Sequence, residues 1–292
     1  MLQITGRIMA GDILAEKFSF LRIDKFIRKD RSGFSYKLKF IPDADANRMS
    51  ETEKKLYLFT DGGITPLQIK VLDYNFRSQQ PAHTTAQLIT ASVSDCPGVV
   101  PVLWRYDELE QGGEESGLFI RYIITPYHPF TIDDMEMSAM DIICMAMDVC
   151  NILIKMNSRK EYVHGGICPE NILFDQDKQQ VWLTGFENSQ PVDDVWYFPQ
   201  TGKHVTDVQR DMEKIAGLIS GFDAPHRLTD DLPQLGAIVR KAMAHRYTMT
   251  EEMYADLAAL LGIFESEGNS CKTEKNFGVF RLPASFSALL ES

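Results

Sequence analysis

The sequence lacks a long uninterrupted apolar run. Its most apolar stretch, residues 142–156, is broken by Asp148, Asn151 and Lys155 and is shorter than the roughly 20 apolar residues that cross a bilayer. We therefore expect a buried core helix there and no membrane span. The opening Met-Leu-Gln-Ile-Thr-Gly-Arg also has no basic segment followed by an apolar run, so no secretory signal is predicted.

Regularly spaced cysteines and an excess of positive charge are missing too. The five cysteines are odd in number and have neither paired nor metal-ligand spacing, which predicts reduced thiols, a cytoplasmic setting and no zinc site. Lys and Arg number 30 against 41 Asp and Glu, a net charge of −11. This acidic balance argues against a nucleic-acid partner, because phosphate backbones are bound by basic surfaces. The 292 residues, 44% of them hydrophobic, suffice for one large domain or two lobes.

The most informative stretch that is present runs from residue 163 to 187. Two short apolar strands, Ile172 to Phe174 and Val181 to Leu183, are joined by a polar turn. The loop before them reads His-Gly-Gly-Ile-Cys-Pro-Glu-Asn (164–171), and the loop after them reads Thr-Gly-Phe-Glu (184–187). This pattern predicts a hairpin whose flanking loops present a site.

These loops resemble the catalytic and metal-binding loops of the protein kinase superfamily, H-R-D-L-x-x-x-N followed by D-F-G. His164 and Asn171 keep the family's spacing of seven positions. Gly166 stands where the family has its catalytic aspartate, Gly185 where it has its metal-binding aspartate, and Cys168 where active members carry a phosphate-contacting lysine. The resemblance implies an α+β, bilobal kinase-like fold with a small β-rich N-lobe and a mainly helical C-lobe.

Further matches lie upstream. Lys70, in the apolar strand from Leu67 to Leu72, resembles the V-A-I-K lysine that pairs with the α- and β-phosphates of a nucleotide. The glutamate that holds this lysine in kinases falls on Gln87, which hydrogen-bonds a lysine but cannot neutralise it. The preceding hairpin has a single glycine, Gly33, where the family's phosphate-binding loop has several.

Two matches downstream imply structural roles. Asp211 opens an amphipathic helix and corresponds to the family's aspartate that braces the backbone of the catalytic loop. Arg246 corresponds to an arginine whose family partner is a glutamate, here replaced by Gln200. Gln200 follows Gly185 by 15 positions, which leaves little room for a regulatory phosphosite or a peptide-docking platform.

The resemblance divides the chain into four segments. We predict an N-terminal extension at 1–17, an N-lobe at 18–126, a C-lobe at 127–264 and a C-terminal tail at 265–292. Residues 42–54 are polar and weakly patterned and are interpreted as a surface insertion, followed by a strand at 56–59. Residues 1–20 themselves fit either an extension or a first strand.

Three hypotheses for function follow. The first is a pseudokinase that binds a protein partner or regulates it, with ATP or ADP retained at Lys70 and Asn171, with or without Mg²⁺. The second is an active atypical kinase, or a phosphotransferase of the aminoglycoside type, in which Glu187 or Glu170 joins Asn171 at a rearranged metal site. The third is a chance hairpin in an unrelated α+β domain.

The missing side chains favour the first hypothesis. A general base contributes on the order of 10²- to 10⁴-fold to a reaction rate, and Gly166 offers no side chain for it. Mg²⁺ prefers anionic oxygen ligands, which Gly185 cannot supply and for which the neutral Asn171 is a weak substitute.

Overall fold

The computed structural model describes residues 2–29, 33–41, 45–75, 96–109, 118–128, 130–134, 137, 139–160, 162–175, 180–192, 195–198, 203–223 and 232–266. These residues form two compact units. The first contains the described residues up to 75 and those from 100 to 128, and the second contains 96–99 and the described residues from 130 onward. The first unit is rich in strands and the second is mainly helical, so the predicted α+β class is confirmed.

The first unit is built on a five-stranded antiparallel sheet. Its elements are α1 (Leu2–Lys17), β1 (Leu21–Lys29), β2 (Gly33–Phe40), α2 (Glu51–Phe59), β3 (Leu67–Asn75), β4 (Trp104–Leu109) and β5 (Leu118–Pro126). The strand order is β1-β2-β3-β5-β4. Tyr36, Leu38 and Ile69 point to one face, where Ile13 and Leu14 of α1 pack against them. The N-terminal residues left open by the sequence therefore form a helix that covers this face.

The strand predicted at 56–59 is wrong, because these residues belong to α2. The side chain of Ser50 accepts the N–H of Glu53 at 3.2 Å, and the Glu53 carboxylate accepts the N–H of Ser50 at 3.0 Å. This reciprocal capping box satisfies two backbone donors at the helix start. Leu56 and Phe59 are both buried three residues apart, which is helical spacing and not the alternation of a strand.

The second unit packs around one long helix. Its elements are β6 (Phe130–Thr131), α3 (Ala139–Lys160), β7 (Tyr162–Val163), β8 (Ile172–Asp175), β9 (Gln180–Leu183), β10 (Gln190–Pro191), β11 (Val195–Phe198), β12 (Lys203–Thr206), α4 (Asp207–Asp223), α5 (Pro233–Met243) and α6 (Thr250–Ser266). Ile142, Ile143, Leu153 and Met156 of α3 are fully buried, which confirms the core helix. Among the described residues no helix is long and apolar enough to cross a bilayer.

A short segment at 96–99 joins this second core. The N–H of Leu183 in β9 donates to the carbonyl of Gly98 at 2.7 Å, and Val99 forms a bridge with Leu183. Gly98 has φ +86°, and a Cβ there would lie 2.4 Å from Ile152 on α3. The close approach of this segment to α3 therefore requires glycine.

Candidate functional site

The loop after β7 is fastened to α4 through its backbone. The N–H groups of His164 and Gly165 donate to the two carboxylate oxygens of Asp211, at 2.8 and 2.9 Å. The Nζ of Lys214, one turn further along α4, donates to the carbonyl of Gly165. Asp211 therefore fixes the main chain of the loop that corresponds to the kinase catalytic loop.

Asp211 is a buried carboxylate with an unusual ionisation. Burial raises its pKa to about 6, although the N–H groups of His164 and Gly165 and the nearby charge of Lys214 favour the ionised form. At neutral pH the side chain is charged. It then accepts one backbone hydrogen bond at each of its two oxygens, whereas an amide side chain has an acceptor at only one of these positions.

The imidazole of His164 links this loop to the one that follows β9. The N–H of Gly166 donates to Nδ1 at 3.1 Å, so Nδ1 carries no proton and Nε2 donates to the carbonyl of Thr184 at 2.9 Å. The ring also packs against Phe186, with ring centroids 4.7 Å apart. His164 is fully buried. The ring of His164 therefore holds the two loops together.

The side chain of Asn171 fills the place that a side chain at position 185 would need. Its Nδ2 donates to the carbonyl of Gly166 at 2.9 Å, and its backbone carbonyl accepts the N–H of Thr184 at 2.9 Å. A Cβ on Gly185 would lie 2.2 Å from Cγ and 2.3 Å from Oδ1 of Asn171. Gly185 also has φ +81°, in the left-handed region that favours glycine.

The two glycines after His164 differ in the room that they leave for a side chain. Gly165 has φ +69°, and a Cβ there would lie 2.2 Å from the carbonyl oxygen of Asn188. A Cβ on Gly166 would lie 3.2 Å from the carbonyl oxygen of Gly185, a tight contact. The backbone at Gly165 is therefore shaped for glycine, whereas a side chain at Gly166 would need its neighbours to shift by only a few tenths of an ångström.

These residues do not fit the magnesium ion that a kinase-like fold implies. Mg²⁺ takes oxygen ligands and needs carboxylates to bind well. Across the part of the chain that the structure describes, no group of three His, Cys, Asp or Glu side chains could hold a metal. Gly166 and Gly185 supply no side-chain ligand atom, which leaves only the neutral Oδ1 of Asn171, whose Nδ2 donates to the carbonyl of Gly166.

The substitute carboxylates proposed from the sequence lie in this region. The backbone of Glu187 lies in the short 3₁₀ turn Phe186–Asn188, and its side chain is outside the described part of the structure. Glu170 is exposed and interacts with Cys168. The role of either carboxylate at a metal site stays a prediction.

Cys168 is half-buried, and its thiol is held in the protonated form. Burial raises its pKa to about 11, and the hydrogen bond and negative charge of Glu170 add to this shift. Because the thiolate is the nucleophilic form, this cysteine is unreactive at neutral pH.

In the first unit, Lys70 lies at the centre of the sheet. It is half-buried on β3, directly opposite Ser35 of β2 and Ile123 of β5. Gln68 occupies the position of the alanine in V-A-I-K, on the same face as Lys70, and donates to the hydroxyl of Thr125 at 3.0 Å. A polar side chain therefore replaces a small apolar one beside the lysine.

Two predicted partners fall outside the described residues. They are Gln87, expected beside Lys70, and Gln200, expected beside Arg246, so both pairings stay predictions. Arg246 itself is exposed just after α5. The structure does bring together His164, Gly166, Asn171, Gly185 and Asp211.

Sequence reasoning missed several residues of this cluster. Lys214 lies three positions after Asp211 and so shares its helix face, a spacing that could have indicated it. Ser189 donates its hydroxyl to the carbonyl of His164 at 2.9 Å, and Asn188 packs against Gly165. No local pattern marks these last two residues, because their contacts depend on how the chain returns after β9.

Comparison with solved structures identifies kinase domains. The kinase domain of Mycobacterium tuberculosis PknI, a double mutant, matches with a TM-score of 0.56 and 14% identity, covering 83% of this chain and 96% of its own. Vaccinia related kinase 3 matches at 0.53 and 12%, covering 84% and 88%, and the BubR1 kinase domain at 0.56 and 12%, covering 85% and 81%. No family model and no curated protein sequence matches the chain. At these identities the likeness shows the fold alone, and it confirms the kinase-like fold that the motifs implied.

Proposed function

We propose that this chain with a protein-kinase-like fold is a pseudokinase, a binding or regulatory module without phosphoryl transfer. The observation that carries the proposal is the contact between Asn171 and Gly185. The side chain of Asn171 stands within 2.4 Å of where a Cβ at position 185 would be, so an aspartate in the family's metal-binding position would force the amide of Asn171 away from its hydrogen bond with Gly166. Transfer of a phosphoryl group needs a metal to offset charge and a carboxylate to orient the hydroxyl.

The remaining interactions of the site support a structural purpose. His164, Asp211 and Lys214 all hold backbone groups of the loop, and none of these contacts requires a nucleotide. Contacts that fix the backbone of a loop suit a module that presents a fixed surface. In this proposal Lys70 and Asn171 remain the candidate contacts for ATP or ADP, with nucleotide bound independently of Mg²⁺.

The proposal is tested by a transfer assay with purified full-length chain. We expect no phosphate transfer from γ-labelled ATP to the chain itself, to a general protein substrate or to a panel of aminoglycosides, in Mg²⁺ or Mn²⁺. Loss of both the base and the metal ligand lowers the rate far below the 1–100 s⁻¹ typical of kinases. Transfer that is abolished by Lys70→Met, with folding unchanged, would overturn the proposal in favour of an atypical kinase.

A further inference from the structure

The β1–β2 hairpin is basic in an acidic chain. Residues 21–40 contain seven Lys and Arg and two Asp, a net charge of +5, whereas the whole chain has a net charge of −11. The remaining residues therefore carry −16. Such a separation of charge concentrates a positive potential on one small part of the molecule.

The strand register collects this charge on one face of the sheet. Lys25 lies directly opposite Lys37, and Arg22 lies directly opposite Lys39. The alternate residues Tyr36 and Leu38 are buried in the core, so the basic side chains are on the opposite face. Arg28, opposite Ser35, belongs to the same face. We call this set the cationic face, and its members are Arg22, Lys25, Arg28, Lys37 and Lys39.

Positive side chains that lie opposite each other on this face repel one another, which lowers the stability of the fold. Like charges directly opposite each other in an antiparallel pair are destabilising, and Lys25 and Lys37 form such a pair. Arg22, opposite Lys39, donates to two backbone carbonyls. Lys39 forms an ion pair with Asp24 at 3.2 Å, but both side chains are well exposed, so the pair contributes little. The Nζ of Lys37 lies 5.3 Å from the ring centroid of Tyr127. This contact with a neutral ring does not neutralise the positive charge of Lys37. Anionic groups laid across Lys25 and Lys37 would relieve the repulsion.

The geometry of β1 indicates how a partner would bind. This strand is at the edge of the sheet, where an extended peptide could in principle add a further strand. Two register shifts, at Ile23/Lys25 and at Phe26/Arg28, interrupt its regular ladder. Bulges of this kind discourage strand addition, so recognition would come from side chains of the cationic face.

We infer that the cationic face binds an acidic polypeptide segment of a partner protein, which rests on the proposed role as a binding module. The chemistry of the partner is thereby specified as a run of Asp and Glu. A short run of Glu and Asp is small enough to contact the cationic face alone. At 0.1 M salt, charges more than about 10 Å away are largely screened, so acidic groups elsewhere in the chain repel the segment little. Nucleic acids and anionic bilayers are bound by extended basic surfaces, which a chain with a net charge of −11 does not favour.

The test measures binding of a fluorescent 12-residue Glu-rich peptide to the full chain by anisotropy, at 50 and 300 mM NaCl. A peptide with every Glu replaced by Gln is the ligand control. The variant Lys25→Gln/Lys37→Gln removes the directly opposed pair, and Lys54→Gln/Lys55→Gln on α2 removes the same charge elsewhere. We expect the first variant to weaken peptide binding at least tenfold and the second to change it less than twofold, with binding weakened by salt. Removing the opposed pair should also leave the melting temperature unchanged or raised.

Three outcomes would overturn the inference. The first is equal binding by both double variants, or by the Gln peptide. The second is preference for a single-stranded oligonucleotide or for vesicles containing phosphatidylserine over the Glu peptide. The third is salt-sensitive self-association of the chain without peptide, lost in Lys25→Gln/Lys37→Gln, which would assign the face to a second copy. None of these outcomes bears on phosphate transfer, so this inference and the proposed function fail separately.

Discussion

Replacing Gly185 by aspartate, the residue that kinases carry there, is expected to destabilise the chain by about 2–5 kcal/mol without creating a metal site. The new Cβ would overlap the amide of Asn171 at 2.2 to 2.4 Å. The left-handed backbone, at φ +81°, adds strain of about 1–2 kcal/mol for a residue with a side chain. Overpacking of a filled site costs about 1–3 kcal/mol more. Urea denaturation gives the change in the free energy of unfolding.

Matched variants separate the steric effect from the charge. Gly185→Ala should destabilise nearly as much, because the overlap begins at Cβ. Gly217→Asp, on α4 where a Cβ meets nothing within 4 Å, should change stability by less than about 1 kcal/mol. Combining Gly185→Asp with Asn171→Ala removes the three atoms nearest the new Cβ and should recover part of the loss, a coupling of about 0.5–3 kcal/mol. Simple addition of the two single effects would mean that Asn171 does not fill this position.

Replacing Asp211 by alanine is expected to cost about 2–5 kcal/mol. The substitution leaves the N–H groups of His164 and Gly165 without their acceptor, and a buried donor without a partner costs about 1–3 kcal/mol. Lys214 also loses the negative charge beside it. Asp12→Ala, at an exposed position on α1, is the control and should change the free energy of unfolding by less than about 0.5 kcal/mol. Equal effects of the two substitutions would show that Asp211 does not brace the loop.

The same residue gives the stability a defined pH dependence. The pKa of Asp211 is about 6 in the folded chain and near 3.8 when unfolded, so the folded chain binds the proton more tightly. This contribution to the free energy of unfolding is fully present below pH 3.8 and is lost as the pH rises through 6. The stability of the wild type relative to Asp211→Asn, which lacks this titration, should therefore fall by on the order of 2 kcal/mol between pH 4.5 and 7. A difference that grows with pH would show that the pKa is lowered instead.

The sequence predicted the elements that carry strong local signals. The hairpin strands β8 and β9 were expected within one residue of their observed ends, because short apolar runs flank a polar turn. The core helix α3 followed from its apolar periodicity. By contrast, the strand predicted at residues 56–59 is the last part of α2, although Ser50 and Glu53 have capping-box spacing. The strand prediction followed the four consecutive apolar or aromatic residues, Leu56 to Phe59, and gave the capping-box spacing too little weight.

The candidate site was predicted in its composition but not in its geometry. The spacing of His164 and Asn171 and the missing aspartates are visible in the sequence. The amide of Asn171 occupies the space beside Gly185 because the loops on either side of a hairpin contact each other. No local sequence pattern encodes such a contact. The contacts of Asn188 and Ser189 with the loop arise in the same way. The sequence therefore shows which groups are lost, and the structure shows that the amide of Asn171 fills the space beside Gly185.

The most direct test of the central claim is the melting temperature of the full chain with ATP or ADP, each in Mg²⁺ or in EDTA. A ligand that binds only the folded state raises the melting temperature by mass action. Because the residues at Gly166, Asn171 and Gly185 do not fit a magnesium ion, any shift caused by nucleotide should be the same in Mg²⁺ and in EDTA. A shift that requires Mg²⁺ would contradict the account and show that another carboxylate has rebuilt the metal site.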